Sequence, residues 1–193
     1  MTGIHDLVPG EHVAPHARVV FTAFRAADSP MLLAWARFRE PLAAAGRPGG
    51  AVADRADPRV ASAFAPSKAP DASSGLWRLL ATNNRELGRS FLLYTSLDAA
   101  RSHVKRLQRH AAELEVVVVI GPVTASYGWI VMHDGVPVMT CGRWYSSTST
   151  MAAAVAGTLA ALPTAVLSAE VDRPARSGRL SRRVASSGHA LVW

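Results

Sequence analysis

"LLYTSLDAARSHVKRL" (residues 92–107) and "RWYSSTSTMAAAVAGTL" (residues 143–159) each place a Tyr two positions before a Ser and then begin a helix-like run. A repeated joint of this kind decides the fold if it extends in both directions, because a unit of some 45 residues cannot bury its own apolar face and must pack on a second copy. Upstream, "WRLLATNNRELGRSFLLY" offers two β-compatible runs about Asn83-Asn84, and "WIVMHDGVPVMTCGRWY" offers two about Asp134-Gly135. Both pairs tolerate the positive φ of a tight hairpin turn. Trp77 lies 17 positions before Tyr94 and Trp129 lies 16 before Tyr145, a difference that one turn residue absorbs.

Downstream, Thr95 or Ser96 can cap the first helix, with Asp98 in its first turn. A side-chain oxygen there satisfies free backbone N–H groups, and the acid suits the positive helix end. Ala100, Val104, Leu107 and Ala111 then recur at helical spacing. In the second unit Ser147 to Ser149 offer the cap, and Met151, Val155 and Leu159 form the stripe. Each helix leads to a strand, Glu115 to Ile120 ("EVVVVI") and Thr164 to Ser168 ("TAVLS"). Four successive Val predict a strand buried on both faces.

The rest of the chain divides around these units. Residues 1–45 hold a strand pattern, Arg18 to Phe24, and a helix pattern, Met31 to Ala45, interrupted by Pro41; this segment is expected to pack on the core. Residues 46–75 mix Ala, Gly, Pro and Ser without periodicity and read as a flexible linker. The repeat domain spans 76–170, as 76–121 and 128–170, and 171–193 form a basic C-terminal tail.

The pattern of the two units resembles the YegP-like tandem-repeat domain, a bacterial family of uncharacterised function. The first copy matches its aromatic opening, turn and Ser-to-Tyr-to-Ser joint with Trp77, Leu79, Ala81, Asn83, Ser90, Tyr94 and Ser96, although its Ser-to-Tyr gap is one residue wider. The second keeps Trp129, Val131, Gly135, Tyr145 and Ser147 but has His133-Asp134 where the family favours Asn or Gly. The resemblance covers residues 77–168 and implies an α+β fold: two tandem hairpin, helix and strand repeats sharing one antiparallel sheet with pseudo-twofold symmetry. Closing strands are then exchanged between copies and the helices lie on one face. The resemblance brings no catalytic signature and no cofactor.

The 193 residues are 49% apolar, enough for one core. A single cysteine, Cys141, excludes an internal disulfide framework and suits a reducing compartment. With no signal-peptide pattern in residues 1–30, the expected location is cytoplasmic. Residues 146–169 carry no charge, yet five Ser or Thr at 146–150 and Pro163 favour a buried helix followed by a strand over a membrane span. A helix without charge on any face is expected to be covered, first by the chain's own residues 17–45, otherwise by self-association or a protein partner.

The formal charge is +7, and all but Lys68 and Lys105 of the 21 cations are Arg. Arg101, Lys105, Arg106 and Arg109 lie off the apolar stripe of the first helix, and Arg173, Arg176, Arg179, Arg182 and Arg183 follow in the tail. Such a surface attracts phosphates, so nucleic-acid or ribosome association is one functional reading. A small-molecule enzyme using Cys141, with His133 on the facing hairpin arm as base, is another. His12 and His16 stand at a metal-ligand spacing beside His5, but Pro15 breaks the helix this would need, so no metal site is expected. No phosphate loop, nucleophile elbow or paired-cysteine pattern is present. The leading reading is a non-enzymatic cytoplasmic binding or accessory protein, with no cofactor.

Overall fold

The computed structural model of the chain describes residues 16–24, 28–45 and 74–173. Strand β1 (Arg18–Phe24) and helix α1 (Pro30–Ala45) come first. Then follow β2 (Ser74–Leu80), β3 (Glu86–Ser90), α2 (Leu97–Arg109), a 3₁₀ turn (Ala111–Glu113) and β4 (Glu115–Ile120). The same succession comes again as β5 (Tyr127–His133), β6 (Val136–Thr140), α3 (Thr148–Ala161) and β7 (Val166–Asp172). The fold is α+β. Its strands form one seven-stranded sheet in the order β4-β5-β6-β3-β2-β1-β7.

Local chemistry accounts for the joints. Asn84, Asp134 and Gly135 adopt positive φ at the hairpin turns, as the Asn-Asn and Asp-Gly pairs predict. Gly75 and Tyr94 exchange backbone hydrogen bonds of 2.8 Å, and Tyr127 and Tyr145 exchange bonds of 2.9 and 2.8 Å. Immediately afterwards Ser96 caps α2 by accepting from Ala99 N, and Ser147 caps α3 by accepting from Thr150 N, with nearly identical backbone angles. The helix starts the sequence predicts are thus met by matching contacts.

Side-chain alternation assigns the two faces of the sheet. On β2, Trp77 bonds Tyr94, which reaches His103 of α2, while its neighbour Leu76 packs with Phe24, Leu32 and Trp35 beside α1. So α2 lies on one face and α1 on the other. Gly128 of β5 belongs to the α1 face, where Leu42 and the Trp144 ring leave no room for a Cβ. Thr158 of α3 reaches across to the Leu87 carbonyl of β3. Trp35, Trp77, Trp129, Phe21 and Phe91 are the fully buried aromatic side chains among the largest of the core.

Four expectations change. The sheet is not wholly antiparallel, because β1 enters between β2 and β7, antiparallel to the first and parallel to the second. The N-terminal segment does not cover α3: α1 occupies the opposite face, and Ala152, Ala153, Ala156, Gly157 and Ala160 stay exposed. Pro41 does not interrupt α1, which runs through it. Burial of Leu42 and Ala43 just beyond outweighs the lost helix bond. Finally, the four-Val strand is not buried on both faces, since β4 is an outer strand with only Val119 buried. No helix among the described residues is long and apolar enough to cross a membrane. Residues 46–73 of the predicted linker and most of the basic tail lie outside the described residues, while Ser74 and Gly75, expected at the linker's end, already belong to β2.

Candidate functional site

The chain's one thiol is sealed. Cys141 is 0% exposed, and burial raises its pKa above the ordinary thiol range. Its Sγ accepts weakly from Trp129 N at 3.5 Å and Thr140 Oγ1 at 3.8 Å. The sheet register separates it from His133: Cys141 N bonds the Trp129 carbonyl, whereas His133 lies four residues on, opposite Val136 at the hairpin end. Four strand residues span about 13 Å. The proposed nucleophile and base are not brought together.

The cations of α2 divide into two uses. Arg101 turns inward: its Nη2 donates to the Ser168 and Ala169 carbonyls of β7 at 3.1 and 2.8 Å, and its guanidinium lies 5.4 Å over the Phe21 ring. It fastens α2 to the sheet edge. Lys105, Arg106 and Arg109 remain exposed, with Arg109 Nε donating to the Lys105 carbonyl. Arg173 is exposed beyond β7, while Arg176, Arg179, Arg182 and Arg183 lie outside the described residues. His16 is exposed, and His5 and His12 also lie outside the described residues.

A cluster the sequence reading missed stands where α2 ends. His110 is the C-cap of α2, Glu113 closes the 3₁₀ turn that follows, and His133 ends β5. His110 Nδ1 lies 3.0 Å from Glu113 Oε1, and His133 Nε2 lies 3.8 Å from Glu113 Oε2. One ligand atom from each of the three falls within 4.8 Å of the others. The imidazole rings are 5.4 Å apart, centre to centre. The Glu113 carboxyl is held below its usual range, first by the His110 hydrogen bond. His133 Nε2 is buried without a hydrogen-bond partner, and its Nδ1 lies 3.6 Å from Asp134 Oδ2.

The cluster was readable once strand pairing is known. His110 and Glu113 stand at i,i+3, and β4 pairs with β5 so that Glu115 faces Met132, which brings the turn before β4 beside His133. Without that pairing, His133 lies 20 positions from Glu113 and nothing joins them.

No family model and no curated protein matches the chain. Among solved structures, the chain is similar to the solution NMR structure of yegP from E. coli, a protein of unknown function. The match has 13% identity and a TM-score of 0.41, and covers 53% of this chain and 86% of that one. That protein carries the name of the family whose pattern the two units resemble.

Proposed function

We propose that the chain is a non-enzymatic binding protein of the cytoplasm that pairs with a second copy of itself along strand β4. One observation carries this reading: the residues of β4 that turn their backbone groups outward are also those that expose apolar side chains. Trp129 directs its carbonyl to β6, where Cys141 N and Thr140 Oγ1 donate to it. Val118 faces Trp129 across the β4–β5 ladder, so it is the non-bonded partner there and its own N–H and C=O point away from the sheet. Val116 and Ile120 share that orientation. Val118 is 54% exposed and Ile120 77%.

A second copy fits this edge by symmetry. Antiparallel pairing about Val118 sets Val116 opposite Ile120 and Val118 opposite itself, covering both stripes without burying a charge. The sealed thiol and its distance from His133 support a binding role over a covalent one. The cytoplasmic part of the reading rests on the lone free thiol.

The underlying architecture is read as a duplication about the β3–β6 contact. Arg89 faces Thr140 there, and these residues hold equivalent places in the two units. The matched Tyr bridges and Ser caps support this reading, with β1 filling the gap between β2 and the closing strand β7.

Light scattering across a dilution series tests the edge. The full chain is expected to form a dimer that dissociates on dilution, and Val118→Lys to be monomeric with an unchanged circular dichroism spectrum. A wild-type chain that is monomeric throughout, or a Val118→Lys dimer, overturns the proposal. Nucleic-acid association is the second reading, favoured by exposed Lys105, Arg106 and Arg109 on one helix. It requires retention on DNA or RNA that falls steeply with salt and weakens in Lys105→Glu/Arg109→Glu.

A further inference from the structure

We propose that His110, Glu113 and His133 bind a divalent transition-metal ion of the zinc type. Two imidazoles and one carboxylate form a donor set that suits zinc and its neighbours and leaves further coordination positions to water. Magnesium and calcium prefer all-oxygen sets.

The distances fit a short closure. Metal–ligand bonds of about 2.0–2.2 Å place neighbouring donors of a tetrahedral site about 3.3 Å apart. Here His110 Nδ1 lies 3.0 Å from Glu113 Oε1 and His133 Nε2 lies 3.8 Å from the other oxygen, Oε2, and one donor atom from each residue falls within 4.8 Å of the others. Glu113 is exposed on a single 3₁₀ turn, so rotation about its side-chain bonds can supply the remaining movement.

His133 gives the arrangement its direction. Its Nδ1 lies 3.6 Å from the Asp134 carboxylate, which a small rotation would bring into place as the outer carboxylate of an imidazole bound to metal through Nε2. Nε2 is buried, has no hydrogen-bond partner and faces Glu113 Oε2. A cation between the two atoms would partner both. The bound ion would also tie the end of α2 to the β5–β6 hairpin, where the His110 and His133 rings already meet.

The test adds Zn²⁺, and separately Co²⁺, to the metal-free full-length chain in which His5, His12 and His16 are changed to Ala. Expected are one equivalent of tight Zn²⁺ binding, a rise in melting temperature, and the strong visible absorption of four-coordinate Co²⁺. His110→Ala and His133→Ala should each weaken binding at least tenfold, whereas His103→Gln should retain it. In the unmutated chain, NMR should show the ring signals of His110 and His133 shifting with one equivalent of Zn²⁺, a readout that does not depend on a variant folding. Absence of binding, binding that survives His110→Ala/His133→Ala, or unshifted His110 and His133 signals overturns the site.

Discussion

Trp77 of β2 and Trp129 of β5 are both fully buried, yet their indole nitrogens meet different fates. Trp77 Nε1 donates to Tyr94 Oη at 3.1 Å, and Tyr94 Oη is hydrogen-bonded to His103 Nδ1; Trp129 Nε1 is buried without a partner. Counting from each Tyr, the position of His103 is held by Ala154 in the second unit, so no imidazole can complete the chain there. The sequence marks both Trp residues but not His103, because a search for an apolar stripe passes over a histidine lying among Ala100, Val104 and Leu107. Burial, then Arg106 and His133 nearby, lower the His103 pKa to about 4 from 6.5. The unfolded chain therefore takes up a proton between these values and the folded chain does not. Stability is lost as pH falls through that window, by up to about 3 kcal/mol at ~1.4 kcal/mol per unit. Urea unfolding at pH 7, 5.5 and 4 should show this slope, and His103→Gln should flatten it; equal slopes in the two proteins would sink the assignment.

Ser96 and Ser147 show how short signals fix whole elements. Each accepts a hydrogen bond from the N–H three residues on, at 3.1 and 3.2 Å. Ser96→Ala and Ser147→Ala are each expected to cost about 1 kcal/mol, and Asp at either position to restore most of it. Chemical unfolding midpoints check this, and an unchanged midpoint in both Ala variants counts against the caps. Far ends are harder to read: α3 finishes against Gln108 of α2, whose Nε2 donates to the Leu162 and Ala165 carbonyls, a partner no local pattern announces. Strand β4 was legible as a strand but not as an edge. Four successive Val, from Val116 to Val119, state β-propensity, whereas burial depends on which strands lie alongside. The charge-free run of α3 misleads in a similar way, because exposed alanine methyls cost little and need no cover.

At the scale of the whole molecule, the two hairpin, helix and strand units were readable because their caps, turns and aromatics are local. The insertion of β1 between β2 and β7 was not, since a strand pattern carries no address and β1 lies 50 residues before Ser74, counted from Phe24. The insertion makes the N-terminal segment part of the core. Val19 and Phe21 join the main apolar cluster, and Arg101 covers the Phe21 ring while holding β7 in place. Deleting Phe21 side-chain atoms should therefore weaken both ladders of β1 at once. Phe21→Ala is expected to destabilise the chain by about 3–5 kcal/mol, comparable with about 2–5 kcal/mol for Leu79→Ala inside the first unit. Were residues 17–45 only an accessory layer on a self-sufficient repeat domain, Phe21→Ala would leave the main unfolding transition in place and alter a minor one. Calorimetry distinguishes the two cases: a single transition shifted down together in both variants supports β1 as a core strand, and a Phe21→Ala main transition within 1 °C of wild type refutes it.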